Sequence, residues 1–432
     1  EYHPVAKQAT IIIEKAAADL TIARSGFDPL LNAGTGEKTF DGTDYYKYSH
    51  AQVSIPTWFG VELNAGLENL AGAKTNPEKT IGKSNYVGLS LPLAQDLLMD
   101  NRRAALKTAR LYRDASEFQR KNILNNLLLD AGKSYWQWVQ SYQTFNLLRE
   151  ALELNKRRMD FVTRVFKLGD RAAIDTVEAE TQLQSISVMY ENAWMELQNA
   201  RLDLSQYLWT TDLHPVTLTP EIVPEEESVI TQLFNADLPP LENVVQMALK
   251  AHPELMLYNY KLNALDVDRR LKYQKLLPKI DFQYNQLGKG YDFSNTKIAP
   301  LFENNFRYSI SLELPLRLSE GRGQYKLARL KIAETLLEQS YKRVEIETKV
   351  KTNYNAVIAL KRQVALQEQV YRNYVRLQRA EETKFEIGES SLFFVNTRET
   401  KSLEGFQKLQ EFKAKYFTSL IKLQWATGSL SE

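Results

Sequence analysis

The chain has no cysteine among its 432 residues. That excludes disulfides and thiolate metal sites, and it suits a chain exported to an oxidising compartment, where an unpaired thiol is a hazard. An excess of one charge is also lacking. The 55 basic residues nearly balance the 53 acidic ones, for a net charge of +2. Nothing in that balance suggests nucleic-acid binding or an acidic tail. No apolar run approaches the ~18 residues that a membrane helix needs. Histidine is scarce: His3, His50, His214 and His252 are the full set. Two of these open His-Pro helix starts, and no phosphate-loop, dinucleotide or zinc-protease motif is present. We therefore expect no catalytic residue, no cofactor, no metal site and no enzyme activity. The opening residues read as helix without a signal peptide, as expected of a mature or trimmed form.

What the chain does have is a plan used twice. His3-Pro4 and Pro29 recur as His252-Pro253 and Pro278, at one offset of 249 residues. Ser90-Leu91-Pro92-Leu93 is answered by Glu313-Leu314-Pro315-Leu316 at an offset of 223. Phe166-Lys167-Leu168-Gly169-Asp170 is answered by Phe385-Glu386-Ile387-Gly388-Glu389, and Glu180-Thr181 by Glu399-Thr400, both at 219. The first fall in offset, 26 residues, marks an insert between the extended segments of the first half. The second, 4 residues, is about one helical turn. Two copies at so long a period describe a duplicated domain rather than a solenoid.

The helical segments are long. Ala179, Leu183, Ile186, Tyr190, Ala193, Leu197, Ala200, Leu204 and Tyr207 step by alternating fours and threes, the seam of a coiled coil. From Gln95 to Lys167 there is no proline and only Gly132, and from Gln324 to Ile387 there is neither proline nor glycine. At 1.5 Å per residue each stretch would reach roughly 100 Å. Gly321-Arg322-Gly323 reads as the turn that precedes the second stretch.

Between the helices the period changes to two. Ile280, Phe282 and Tyr284 alternate with Asp281, Gln283 and Asn285. Tyr308, Ile310 and Leu312 alternate with Arg307, Ser309, Ser311 and Glu313. Such alternation means strands with one apolar and one polar face. Val87, Leu89 and Leu91 show it in the first half, and the insert holds a similar run from Val61 to Leu67. Polar loops rich in Gly, Asn, Lys and Asp join the strands. One chain offers four strands, or six if the insert adds a hairpin. A closed membrane barrel needs at least about 8, so several copies would have to close one together.

These readings place a first structural repeat at 1–210, with strands at about 27–93 including the insert and long helices at about 95–209. A second repeat covers 243–432, with strands at about 278–316 and long helices at about 319–427. Residues 211–242, with five prolines and Glu225-Glu226-Glu227, read as a surface connection in which Val216-Thr217-Leu218 could form a short strand.

The order helix, strands, very long helix, glycine break and long helix, given twice, resembles the TolC-type outer-membrane efflux proteins. The local motifs agree. The His-Pro helix start with its Pro-led strand resembles that family's opening. Gly88-Leu89-Ser90-Leu91-Pro92-Leu93 looks like its strand end. Leu168-Gly169-Asp170 through Glu180 looks like its helix break, and Ile387-Gly388-Glu389 through Thr400 repeats that more loosely. The insert resembles a branch common in Bacteroidetes.

The resemblance implies a mainly α fold with membrane β-structure: a homotrimeric α-helical barrel in the periplasm, continued by a shared transmembrane β-barrel, twelve-stranded in the usual members. Its place would be the outer membrane of a Gram-negative bacterium. Its partners would be two further copies of itself, a periplasmic adaptor, an inner-membrane pump reached through that adaptor, and outer-membrane lipid. Ile280, Phe282, Tyr284, Tyr308, Ile310 and Leu312 would face lipid. Asp281, Gln283, Asn285, Arg307, Ser309, Ser311 and Glu313 would face the lumen. Leu168, Gly169, Asp170, Ile387, Gly388 and Glu389 would form the tips that meet the adaptor. Residues 211–242 would pack as an equatorial belt, with a plain flexible linker as the other reading.

The aperture departs from the family. Where carboxylates can stand six and nine residues past the second-half glycine, this chain has Phe394 and Thr397. The matching first-half positions hold Asp175 and Glu178. Phe393 and Phe394 either close the aperture by apolar packing or are ordinary seam residues. The rival reading of the whole chain is a coiled-coil scaffold or membrane-surface structural protein without a channel.

Overall fold

A computed structural model describes residues 2–76, 79–225, 234, 237–291 and 304–431. Glu226, Glu227 and most of the polar loop that joins the second-half strands lie outside the described residues. Among the described residues the order is α1 (Pro4–Ser25), β1 (Leu30–Phe40), β2 (Thr43–Pro56), β3 (Glu62–Ala71), β4 (Gly82–Pro92), α2 (Asn101–Lys167) and α3 (Ala173–Ser205). There follow α4 (Leu241–Ala251), α5 (Pro253–Gln274), β5 (Lys279–Lys289), β6 (Phe306–Glu313), α6 (Ser319–Glu386) and α7 (Leu392–Thr427). Two compact units divide the chain. One holds residues 1–11, 118–256 and 341–432, and the other holds 12–117 and 257–340.

The first unit is helical, and its core follows the heptad pattern. Along α3 the expected seam is the inner face: Ala179, Ile186, Ala193, Leu197, Ala200 and Leu204 are buried. Tyr207 falls just beyond the helix end at Ser205. In α6, Ile346, Val350, Val357 and Val364 repeat at heptad spacing and are almost fully buried. Trp136 stacks on Phe417 with ring centroids 4.0 Å apart. Gly132 does not interrupt α2. A side chain there would meet Ile421 Cδ1 at 2.6 Å, so the glycine makes room for close helix packing.

Both His-Pro starts use the same local bonds. The N–H of Val5 donates to His3 Nδ1 at 3.1 Å, and the N–H of Glu254 donates to His252 Nδ1 at 3.2 Å. Proline at the first helical position costs no bond because its missing N–H would lack a partner there. The imidazole takes up one of the N–H groups that a helix start leaves open. His252 is buried among Glu254, Lys342, Glu345 and Lys349, and that burial holds its pKa below the usual value of 6.5.

The second unit contains the sheet. All six strands form one antiparallel sheet in the order β1-β2-β3-β4-β5-β6. The insert therefore adds strands, giving the first half four and the second half two. Among the described residues β1 pairs only with β2, and β6 only with β5. Among the described residues the sheet is open, and its two outer strands have free edges.

Several sequence expectations need correction. α2 begins at Asn101 rather than near residue 95, because 95–100 are non-helical, with Asp96 at a positive φ of 65°, and the Asp100 carboxylate accepts from the Arg103 N–H at 2.7 Å. Gly321 and Gly323 lie inside the first turns of α6, not before it. A Cβ at Gly321 would meet Lys275 O at 2.5 Å, so backbone proximity explains that glycine. Val216-Thr217-Leu218 is no strand. Leu218 is buried, and its N–H donates to Ser205 Oγ at 3.0 Å.

Candidate functional site in the sheet and at the helix turns

The strand register sorts side chains by face, since directly opposed residues of an antiparallel pair point the same way. Ile280 opposes Leu312, Phe282 opposes Ile310, and Tyr284 opposes Tyr308. Asp281 opposes Ser311, Gln283 opposes Ser309, Asn285 opposes Arg307, and Lys279 opposes Glu313. The alternation read from sequence is thus carried across the hairpin, and the two residue sets lie on opposite faces. The pattern continues inward and outward through the insert. Leu91 and Leu89 join the apolar face through β4, then Leu63 through β3, then Ile55 and Val53 through β2, and Leu31 through β1.

The polar face is knitted by side chains. Ser54 Oγ donates to Asn64 Oδ1 at 2.8 Å, Asn64 Nδ2 donates to Ser90 Oγ at 3.1 Å, and Tyr86 Oη donates to Gln52 Oε1 at 2.8 Å. Large side chains on this face lie over glycines. The Tyr86 ring is 2.6 Å from where a Cβ of Gly66 would be, and the Asn285 carboxamide occupies the corresponding space at Gly88. Sequence alternation could not show this inlay, because Gly66 and Gly88 carry no side chain to signal a face. The apolar face is open instead, with Tyr308 62% and Leu312 67% exposed.

The two glycine turns belong to the helical unit, and they are bonded alike. In the first, the Gly169 N–H donates to Phe166 O at 2.9 Å and the Asp170 N–H to Val165 O at 3.2 Å. In the second, the Gly388 N–H donates to Phe385 O at 3.2 Å and the Glu389 N–H to Lys384 O at 2.8 Å. Both glycines are left-handed, with φ of 87° and 83°. This is the Schellman arrangement, in which a residue of positive φ lets the chain turn back on the last helical carbonyls. Leu168, Gly169, Asp170, Ile387, Gly388 and Glu389 are all exposed.

The fold brings the turns together although they are far apart in the chain. The Arg171 guanidinium sits 4.1 Å from the centre of the Phe385 ring. Val162, Ala179 and Leu392 form a small buried cluster with Met159 and Phe385 against it. Of the aperture candidates, Asp175 pairs with Arg171 at 3.6 Å, and Glu178 accepts from Asn396 Nδ2 at 3.3 Å. Both carboxylates are therefore engaged within the chain. Leu392 and Val395 fill the seam, whereas Phe393 and Phe394 are 58% and 51% exposed and touch each other edge to face at 5.5 Å. Beside them the Ser390 hydroxyl donates to Glu381 at 2.6 Å, and with nearby Lys384 and Arg398 it holds that carboxyl below its ordinary pKa.

One polar centre near the turns was not expected. Glu399 is 2% exposed. It accepts from Arg158 Nη1 at 2.7 Å, Asn155 Nδ2 at 3.0 Å and Gln182 Nε2 at 3.3 Å. It thereby ties α2, α3 and α7 together. Glu399 was visible in the sequence only as the echo of Glu180, which is exposed.

Among the described residues no helix is long and apolar enough to cross a membrane. A comparison with curated proteins returns no match. Residues 244–429 match the family model of the outer membrane efflux protein. Solved structures match over nearly the whole chain. The Campylobacter jejuni CmeC outer membrane channel is 15% identical with a TM-score of 0.67, over 99% of this chain and 83% of that one. The Neisseria gonorrhoeae MtrE outer membrane channel in its open state is 14% identical with a TM-score of 0.68, over 99% and 86%. The Vibrio cholerae outer membrane protein VceC is 13% identical with a TM-score of 0.67, over 100% and 94%. The chain thus has the fold of the solved outer-membrane channels along its whole length and, over residues 244–429, carries the pattern of the outer membrane efflux proteins.

Proposed function

We propose that the protein is the outer-membrane channel of a tripartite efflux or secretion system, a passive conduit from the periplasm to the exterior. The observation that carries this reading is the two-faced sheet. Six strands expose a continuous apolar face, while the opposite face is hydrogen-bonded and polar. In water that apolar face would be a liability for aggregation. Against hydrocarbon it is the favoured side, provided that closure pairs every backbone group.

On this reading Ile280, Phe282, Tyr284, Tyr308, Ile310 and Leu312 meet lipid. Asp281, Gln283, Asn285, Arg307, Ser309, Ser311 and Glu313 line the water-filled lumen. More than one copy must assemble, since one chain supplies too few strands to close a barrel, and three copies are what the resemblance to the TolC-type proteins implies. Residues 1–210 and 243–432 act as the two repeats, and 211–242 as the equatorial connection. The exposed turn residues Leu168, Gly169, Asp170, Ile387, Gly388 and Glu389 receive a periplasmic adaptor that couples the channel to an inner-membrane pump. Phe393 and Phe394, exposed beside the second turn, narrow the aperture by apolar contact between copies. Asp175 and Glu178 support the turns through their partners Arg171 and Asn396. The location is the outer membrane, with the helices in the periplasm, and no catalytic role is proposed.

Mass measurement of the detergent-extracted protein, together with conductance in planar bilayers, tests the reading. A trimer that forms stable pores is expected. A monomer released from membranes by alkaline carbonate, without detergent and without pore activity, leaves the scaffold reading in its place.

A further inference from the structure

We infer that the insert widens the pore: β1 and β6 are the surfaces on which neighbouring copies join, so three chains of six strands close one barrel of eighteen. The inference rests on the proposed reading of the protein as a channel of three copies and goes beyond the twelve strands of the usual members.

Four observations lead to it. First, the inserted strands are continuous with the rest of the sheet rather than folded away from it. β2 pairs with β3 residue by residue from Lys47 to Pro56, and β3 pairs with β4 from Glu62 to Leu70. Second, the face pattern stays in phase across the insert. Val53, Ile55, Leu63 and Ala65 continue the apolar face, while Ser54, Asn64 and Ser90 form the bonded chain on the other. A hairpin outside the membrane wall would have no reason to keep an apolar outer face. Third, the free edges are β1 and β6, and both are exposed along nearly their whole length. In hydrocarbon an unpaired strand edge cannot turn to water, so each must find a partner. With an even number of antiparallel strands, β6 of one copy and β1 of the next run in opposite directions and can pair antiparallel.

Fourth, the β2-β3 turn is built as an interfacial anchor. Trp58 and Phe59 are exposed there and pack edge to face at 5.5 Å. Aromatic pairs at strand ends suit the membrane boundary. The turn is also held to the start of α2. Gly60 has φ of 99°, and the Arg103 guanidinium lies 3.1 Å from where its Cβ would be. Arg103 itself donates to Leu97 O at 2.9 Å and to Asp96 O. Arg102 pairs with Glu62 at 3.5 Å. Barrel diameter grows roughly linearly with strand number, so eighteen strands make the pore about half again as wide as twelve.

The absence of cysteine from the chain makes a clean cross-linking test possible. Ile310→Cys on β6 is combined in turn with Leu31→Cys, Ala33→Cys and Thr35→Cys on β1, all on the apolar face. A fourth variant pairs Ile310→Cys with Leu63→Cys on β3. Each is oxidised in the membrane and run without reductant, and the mass of the reduced, detergent-extracted protein is measured alongside. The expected result is a shift from monomer to covalently linked trimer in at least one β1 pair, no shift in the single variants, and none with Leu63→Cys. A stable trimer in which no β1 position links overturns the eighteen-strand closure, and a Leu63 link would show that β1 and β2 have left the wall. A wild-type protein that is not trimeric after detergent extraction overturns the channel reading itself, which separates the two failures.

Discussion

Arg158 Nη1 lies 2.7 Å from Glu399 Oε2, and the carboxylate end of this pair is almost wholly enclosed. The two residues come from α2 and α7, 241 positions apart. Enclosing a charge is costly unless its partners are in place, and here Asn155 and Gln182 complete the shell. Glu399→Leu strands the guanidinium beside Glu382, 3.8 Å away, as its one carboxylate partner. We expect that variant to lose about 3–5 kcal/mol of stability. The double variant Arg158→Met/Glu399→Leu should recover most of the loss. Thermal unfolding followed by the helical circular dichroism signal measures both. Equal losses in the single and double variants would mean that the pair does not act as a unit.

His252 gives the helical unit a pH dependence. Its imidazole is buried, its pKa is held below 6.5, and its Nδ1 accepts the Glu254 N–H. A base whose folded pKa is depressed binds more protons when unfolded. Its stabilising effect is therefore complete above about pH 6.5 and declines as the pH falls from there towards the folded value. Protonation also removes the acceptor for Glu254. His3 is shifted in the same direction, chiefly by burial. We expect the unfolding midpoint to drop between pH 7 and pH 5, and the drop to shrink in His252→Asn, which keeps an acceptor but does not titrate. An unchanged pH profile in that variant would remove His252 as the cause.

Gly388→Val tests the second turn. No atom lies within 4 Å of a Cβ built there, so the substitution causes no clash within the chain. It does put a β-branched residue at φ of 83°. The left-handed conformation costs such a residue about 1–2 kcal/mol or more. We expect export to fail while the channel still inserts and conducts. Gly388→Asn, which tolerates that conformation, should export normally. Efflux assays beside single-channel recordings decide it, and transport at the normal rate in Gly388→Val would assign the turn a purely structural role.

Ile310→Arg and Ser311→Arg probe neighbouring positions on opposite faces of β6. An arginine on a lipid-facing strand position near the midplane costs about 2–4 kcal/mol. Ile310→Arg should reduce the yield of assembled protein in the membrane, and Ser311→Arg should leave the yield intact while lowering conductance to cations. The same yield for both variants would contradict the assignment of faces.

The sequence disclosed much of this because its signals were local. The glycine turns, the α3 seam from Ala179 to Leu204 and the alternating faces of β5 and β6 each follow from neighbours a few residues apart. What stayed hidden depended on distant contacts. β2, the longest strand at 14 residues, mixes Tyr45, Tyr46 and Tyr48 with Lys47 and Ser49, so its alternation is weak. Gly66 and Gly88 are inlaid by Tyr86 and Asn285, which only the strand register reveals. Glu399 reads as one more helical carboxylate until α2 and α3 are packed on it. Gly321 reads as a turn, yet it is a point of close backbone approach to Lys275.

The hydrogen bonds that define the two glycine turns run from backbone to backbone. Their geometry asks for glycine at one position and is indifferent to the side chains on either side. The side chains of Leu168 and Asp170, like those of Ile387 and Glu389, are exposed and take no part in these backbone bonds. On the proposed reading, in which these turns receive a partner, what they recognise can be retuned one substitution at a time and separately at each turn. On that reading, architecture and recognition can evolve at different speeds in the same few residues.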